Sequence, residues 1–232
     1  MTWWAAAMGW LEGWRKRMLG GGGAATRQPE RWIVLDVEST GLDMRRDHLL
    51  AIAAVAVHVG QPGPDRIVFA DSFDVVLQHD AGASAPDRQN ILLHGIGVGR
   101  QRSGMPGDQA LAAFEDWAAG APLIAFHAAF DRAMIDRARH AVGLAALTNP
   151  WLDLEPLAAV LRPDVKARSL DEWMAAVGLQ CSQRHQAAAD TLVTAELLLQ
   201  VMPQLRRELG SRAGMAFADV QRLAAQRRWL PS

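Results

Sequence analysis

Two acidic residues end the first strongly apolar run of the chain. The segment WIVLDVEST (residues 32–40) places Asp36 and Glu38 two positions apart, so an extended strand carries both on one face. Residues on both faces are apolar ahead of Asp36, which predicts a buried central strand. Two neighbouring carboxylates repel each other and lose hydration there, and a divalent cation with oxygen ligands relieves both costs. The pair predicts a metal site or, more simply, two acids at the solvated end of a strand.

Two further acids lie near the beginnings of predicted helices. Asp131, in LIAFHAAFD, falls in the first turn of a helix after a short apolar strand, and Ile135 and Ala138 share its face. Asp190, in HQAAAD, lies one turn inside the last long helix, after His185 and three alanines that leave room beside it. Each acid alone also has a structural explanation, because an acid near a helix N-terminus complements the helix dipole.

The order of these motifs resembles that of the DEDDh exonucleases, also called the DnaQ-like family. The family's D-x-E-T-T-G is similar to DVESTG here, HNAxFD to FHAAFD, and H-x4-D to HQAAAD. The family's HGI occurs within LHGIG, at His94. The resemblance spans roughly residues 31–200. It departs at Ser39, where the family has threonine, and at Phe126 and His127, where the family often has His and Asn.

The resemblance implies an α/β fold of the RNase H-like type. Such a fold has a five-stranded mixed sheet of order 3-2-1-4-5 flanked by helices. The hydrophobic patterns agree, because three strand-like runs follow one another over residues 31–78, and helices alternate with short strands after residue 107. A meander followed by alternating elements is typical of a mixed sheet covered on both faces.

The resemblance also implies a mechanism. Four acids would hold two Mg²⁺ or Mn²⁺ ions, which stabilise the attacking and leaving oxygens of an in-line displacement. The implied metal ligands, which are also catalytic residues, are Asp36, Glu38, Asp131 and Asp190. His185 would be the general base that takes the proton of the attacking water. A related subfamily uses tyrosine as the base, and this chain has no tyrosine.

The implied reaction is 3′–5′ exonucleolytic release of nucleoside 5′-monophosphates from single-stranded or frayed 3′ ends. Recognition of such an end depends on stacking and backbone contacts rather than on base edges. The family likeness places the terminal-nucleotide pocket after Glu38, with Leu42 as a wedge. The residues implied in substrate binding are Ser39, Thr40, Gly41, Leu42, His94, His127 and Phe130. Ordinary packing is the alternative for Leu42 and Phe130.

Composition divides the chain into three parts. Residues 1–29 hold four of the nine tryptophans and a run of four glycines, which predicts an amphipathic helix followed by a linker. Residues 30–202 form the expected exonuclease domain, and residues 203–232 form a helical extension. We expect the N-terminal helix to pack on the domain or a second copy, or to bind a membrane surface or a polymerase partner.

Charge and cysteine content exclude several classes of protein. Half of the 232 residues are hydrophobic and 21% are charged, which is enough apolar surface for a folded core. The net charge of −1 argues against bulk electrostatic binding of duplex DNA. The single cysteine, Cys181, excludes an intrachain disulfide framework and a Cys-based zinc site, and it fits a cytoplasmic location. No apolar run is long enough to predict a transmembrane helix.

The sequence alone is compatible with several other functions. An RNase H-type endonuclease uses the same fold, although the H-x4-D motif favours the exonuclease. A catalytically silent binding or scaffold module on this fold is a second alternative, and an oligoribonuclease-like RNA exonuclease is a third. The sequence also leaves open whether the biological task is proofreading, repair or clean-up of short oligonucleotides.

Overall fold

A computed structural model describes six segments of the chain. They are residues 30–60, 63–79, 91–92, 94–181, 183–210 and 215–229. The amphipathic helix predicted near the N-terminus lies outside these described residues.

Five strands form one mixed sheet. Strands β1 (Glu30–Ser39), β2 (Leu49–Val59) and β3 (Arg66–Val76) follow one another and pair antiparallel. The short strands β4 (Leu123–Ala125) and β5 (Trp151–Asp153) complete the sheet, with β4 parallel to both β1 and β5. The order is β3-β2-β1-β4-β5, which confirms the predicted fold and the central position of the first strand.

Helices cover both faces of the sheet. Their bounds are α1 (Val98–Arg102), α2 (Gly107–Ala118), α3 (Ala129–Ala141), α4 (Leu154–Leu161), α5 (Leu170–Val177), α6 (Ala187–Glu208) and α7 (Phe217–Ala224), followed by a 3₁₀ helix (Ala225–Trp229). None of these helices is long and apolar enough to cross a bilayer.

The alternation predicted for β1 is confirmed by two hydrophobic clusters on opposite faces of the sheet. Ile33, Leu35 and Val37 pack with residues of α2 and α3. Trp32 and Val34 pack on the other side, with residues of α4 and α6. Because side chains alternate along a strand, both acids of β1 continue the face that α6 covers.

The first turn of α6 is fixed on β2 by a buried hydrogen bond. The hydroxyl of Thr191 donates to the carbonyl oxygen of Ala53 at 3.0 Å. Both residues are at most 2% exposed, so water does not compete for this contact. The acid that precedes Thr191 in the chain is thereby held beside β1 and β2.

Helix α6 continues through residue 202, where we expected the domain to end. Pro203 lies inside the helix, which runs on to Glu208. Beyond it, Met215, Val220 and Leu223 are buried in the same cluster as the α6 residues. The expected C-terminal extension therefore shares the core of the domain, because α7 is amphipathic and buries its apolar face there.

Candidate active site

The two acids of β1 lie at an irregularity of the sheet. Asp36 pairs with Ala53 and Glu38 with Ala51, but the register shifts directly after Glu38. An irregularity of this kind redirects the side chains beside it and is over-represented next to active sites. Both acids are partly buried on the face covered by α6.

The other two acids are buried, and hydrogen bonds connect the elements that carry the set. Asp131 and Asp190 are 3% and 7% exposed, in the first turns of α3 and α6. The Asp131 carboxylate accepts a hydrogen bond from the backbone N–H of Val37 in β1. The Glu38 carboxylate accepts one from the backbone N–H of Ala187, the first residue of α6. These contacts join elements that carry acids distant in the chain, and the role of those acids as metal ligands stays a prediction.

Mutual repulsion and burial shift the pKa values of these carboxyls upward. Burial raises the pKa of Asp36 well above its ordinary value, and the charges of Asp131, Glu38 and Asp190 raise it further. Burial, the larger cause, and the charge of Asp190 together raise the pKa of Glu38 to about 8. Burial raises the pKa of Asp131 to about 7, with backbone hydrogen bonds opposing the shift. Without a bound cation, the cluster therefore keeps protons at neutral pH that ordinary carboxyls would have released.

The donor set fits a divalent cation. The Oε1 atom of Glu38 is buried and has no hydrogen-bond partner, so one carboxylate oxygen is left for a ligand. Carboxylate oxygens are the preferred ligands of Mg²⁺ and Mn²⁺. As the side chains stand in the described part of the chain, however, no three His, Cys, Asp or Glu residues are grouped to hold a metal ion.

Arg184, which lies outside the three motifs, contacts the acid cluster. Arg184 forms an ion pair with Asp190 through Nη1, and its Nε donates to Oδ1 of Asp171 at 2.5 Å. The positive charge of Arg184 lowers the pKa of both Asp36 and Glu38, against the larger effect of burial. The only sequence signal for this residue is its position directly before His185.

His185 lies in the turn that precedes α6. Its backbone N–H donates to Oδ2 of Asp190 at 3.1 Å, and its side chain is exposed. Its φ of +62° is in the left-handed region, and His127 has the same φ beside the second motif. Such conformations in residues other than glycine cost on the order of 1–3 kcal/mol and cluster at functional sites.

The loop after β1 has a fixed shape and an exposed apolar tip. The Ser39 hydroxyl donates to the Gly41 carbonyl at 2.6 Å, and the Thr40 hydroxyl donates to Asp47 at 2.8 Å. A Cβ atom on Gly41 would lie 2.5 Å from the Asp47 carboxylate, so a larger residue there would displace the Asp47 side chain. Leu42 is 86% exposed, which excludes packing in the core, and its contact with a substrate stays a prediction.

The three remaining candidates for substrate binding have contacts within the protein. His94 is 4% exposed, and its Nδ1 accepts a hydrogen bond from the backbone N–H of Ile96 at 3.0 Å. Nε2 of His127 is 2.9 Å from the carbonyl oxygen of Arg168, to which it donates. Phe130 is partly buried against the cluster that covers one face of β1. Their roles toward a substrate stay predictions.

A fifth acid near the site carries no recognisable motif. Oδ1 of Asp153 accepts hydrogen bonds from the backbone N–H of His127 at 3.0 Å and of Glu155 at 3.2 Å. Burial raises its pKa, and its charge in turn raises the pKa of Asp131. Its position at the end of the short run WLD was the available signal, which also fits an ordinary helix cap.

Comparison with known proteins supports the resemblance to exonucleases. The RNase T family model, described as an exonuclease, matches residues 33–198. The PolC-type DNA polymerase III of Bacillus cereus is 30% identical over 173 residues, covering 75% of this chain and 11% of the polymerase. That of Clostridium perfringens is 27% identical over 181 residues, covering 78% and 12%. The chain therefore spans little more than a tenth of the length of these relatives.

Solved structures share the fold. Zinc-bound E. coli exonuclease I in complex with single-stranded DNA superposes with a TM-score of 0.65 at 16% identity, over 79% of this chain and 42% of that one. Exonuclease X in complex with 5′-overhanging duplex DNA gives 0.59 at 19% identity, over 83% and 99%. At these identities the likeness establishes the architecture alone.

An RNase H-like sheet with acids gathered where β1, α3 and α6 meet defines a class of exonuclease domain. Within that class, the chain belongs to the DnaQ-like, RNase T-type exonuclease family. The resemblance seen in the three motifs is thereby confirmed.

Proposed function

We propose that this chain is a metal-dependent 3′–5′ exonuclease that removes nucleoside 5′-monophosphates from the 3′ ends of DNA. The observation that carries the proposal is the electrostatic coupling of acids from three separate elements at the end of β1. Membership of the exonuclease family supports the same reaction class.

The residues that would hold the divalent ions are Asp36, Glu38, Asp131 and Asp190. When bound, Mg²⁺ or Mn²⁺ supplies the Lewis acidity that activates water and neutralises charge on the scissile phosphate. The protein's part is to hold the four carboxylates together despite their repulsion. The contacts of Glu38 with Ala187 of α6 and of Asp131 with Val37 of β1 contribute to this.

His185 is the proposed general base. Its exposed imidazole lies in a turn whose backbone N–H donates to Asp190. The same hydrogen bond therefore holds the proposed base and one of the acids in place. An imidazole can accept a proton on a ring nitrogen, and its exposure here lets that proton pass on to solvent.

The proposed substrate is a single-stranded or frayed 3′ end, with Leu42 stacked against the terminal base. Supporting this, E. coli exonuclease I is known in complex with single-stranded DNA and exonuclease X with overhanging duplex DNA. The polymerase relatives favour a replication or repair setting in the cytoplasm and a polymerase partner. We assign tethering or self-association to residues 1–29, ahead of the catalytic domain.

The test is hydrolysis of 5′-end-labelled single-stranded DNA, frayed duplex DNA and RNA by the purified chain with Mg²⁺ or Mn²⁺. We expect a ladder that shortens from the 3′ end, 5′-mononucleotide products and complete inhibition by EDTA. Cleavage of a 3′-blocked strand would identify an endonuclease instead. Preference for short RNA would identify an oligoribonuclease-like enzyme, and inactivity on every substrate would leave a binding module.

A further inference from the structure

The loop between β1 and β2, residues 40–48, is organised by its own polar groups. The Asp47 carboxylate accepts hydrogen bonds from the Thr40 hydroxyl and from the backbone N–H of Asp43, both at 2.8 Å. The backbone N–H of His48 donates to the Thr40 hydroxyl at 2.9 Å. This network closes the loop at its base and leaves Leu42 at its exposed tip.

A side chain from α3 fixes the same loop from outside. Nη1 of Arg137 donates to the carbonyl oxygen of Met44 at 3.0 Å and to that of Asp47 at 2.6 Å. Nη2 of Arg137 donates to the carbonyl oxygen of Arg46 at 3.1 Å. All three acceptors belong to the main chain, so this contact fixes backbone position rather than neutralising an acid.

The planar guanidinium explains why an arginine suits this position. Its donors lie in a rigid fork that reaches several carbonyls at once, whereas a lysine ammonium is a single point charge on a flexible stem. Of the three hydrogen bonds, the one to the Asp47 carbonyl is partly buried, which strengthens it, whereas those to Met44 and Arg46 are exposed to solvent. The loop is thus fastened to the helix that also carries Asp131.

We propose that Arg137 is a positioning residue, which sets the place of Leu42 relative to the acids that act on the scissile phosphate. Strand β1 joins the loop to Asp36 and Glu38 at one end, and Arg137 joins it to the helix of Asp131 at the other. The terminal nucleotide then binds to a preformed surface. Less of its binding free energy is therefore spent on ordering the loop. This inference rests on the proposed exonuclease function.

The test compares Arg137→Gln and Arg137→Lys with a matched arginine elsewhere. Arg162→Gln is the control, because it removes a surface ion pair with Asp164 at the end of α4. We expect Arg137→Gln to raise KM for a single-stranded oligonucleotide roughly tenfold with kcat within about twofold, because ground-state binding is lost. Arg137→Lys retains the positive charge and an ammonium donor on a long side chain, so it should show a smaller rise in KM.

A second measurement follows the loop without substrate. Hydrogen exchange at the backbone N–H of Asp43 and His48 should accelerate in Arg137→Gln and stay unchanged in Arg162→Gln, because opening of the loop exposes both amides. A merely structural role would lower the unfolding midpoint and leave KM unchanged.

The outcomes separate this inference from the proposed function. If the wild-type chain hydrolyses DNA and Arg137→Gln has an unchanged KM, the positioning role is wrong while the exonuclease assignment stands. If the wild-type chain hydrolyses nothing, the exonuclease assignment fails and the substrate role of Arg137 fails with it. If hydrogen exchange at the amides of Asp43 and His48 is unchanged in Arg137→Gln, Arg137 does not hold the loop in place, whether or not the wild-type chain hydrolyses DNA. If Arg137→Gln does not fold, Arg137→Lys decides by the same two measurements.

Discussion

The guanidinium of Arg184 forms an ion pair with the carboxylate of Asp190, one of the four clustered acids. The same guanidinium is held from outside by Asp171. The chain therefore supplies its own cation at the place where a divalent ion is expected. Any ion bound by Asp190 competes with this pair, because a carboxylate shared with a guanidinium has fewer free lone pairs.

Replacing Arg184 with glutamine should tighten metal binding. Removing a partly buried cation abolishes both the competition for Asp190 and the repulsion of the incoming ion. We expect the Kd for Mn²⁺ to fall by about fivefold, equivalent to an interaction of about 1 kcal/mol. Calorimetric titration without substrate measures this, with Arg162→Gln as the control. A weaker affinity in Arg184→Gln would show that Arg184 assists the site.

Asp36→Ala should abolish hydrolysis while preserving the fold. Asp36 lies among three other acids, so its loss removes one proposed ligand and also relieves repulsion. We expect activity at least about 10³-fold below wild type. In EDTA the thermal midpoint should be no lower than that of wild type. Asp164→Ala, which removes an exposed ion pair, is the control. Activity near that of wild type in Asp36→Ala would show that Asp36 is not a metal ligand.

His185→Ala should lower kcat by about 10²–10⁴, the usual contribution of a general base. Because His185 has a φ of +62°, alanine adds backbone strain, whereas asparagine tolerates this conformation. His185→Asn is therefore the matched variant, and both should lose activity to a similar extent. If Asn restores turnover, the imidazole serves conformation and not proton transfer.

The metal-free protein should lose stability as pH rises from about 5, where unfolded carboxyls have released most of their protons, to about 8, the pKa of Glu38 in the folded state. The raised pKa values of Asp131, about 7, and Glu38, about 8, keep protons in the folded state that the unfolded chain has already released. The free energy of unfolding falls with pH wherever the folded state holds more protons. Urea unfolding in EDTA measures the slope, which should be shallower in Glu38→Gln. A rise of stability across this range would contradict the raised pKa values.

The sheet could be predicted because its strands are long, apolar and consecutive. The alternation along β1 separated Ile33 from Val34 and placed both acids on the correct face before any contact was known. The motif order, including FHAAFD and HQAAAD, predicted which helices would bring the remaining acids. These are features of local sequence, where strand and helix periods and motif spacing carry the information.

Contacts of single side chains across the fold could not be predicted in this way. The pairing of Arg137 with carbonyls 90 and 91 positions earlier in the chain has no local pattern. The same holds for Arg184, whose partners depend on how the turn before α6 is packed. The inward orientation of His94 and the continuation of α6 beyond residue 202 likewise depend on tertiary packing.

The position of α6 also has a consequence for biosynthesis. The central strand that carries Asp36 is translated early, but Asp190 lies on a helix that begins at Ala187, after most of the domain has been translated. A chain truncated ahead of His185 lacks both the proposed base and Asp190, one of the four proposed metal ligands. Under the proposed mechanism, an unfinished translation product therefore cannot hydrolyse nucleic acid even when its first strands have folded.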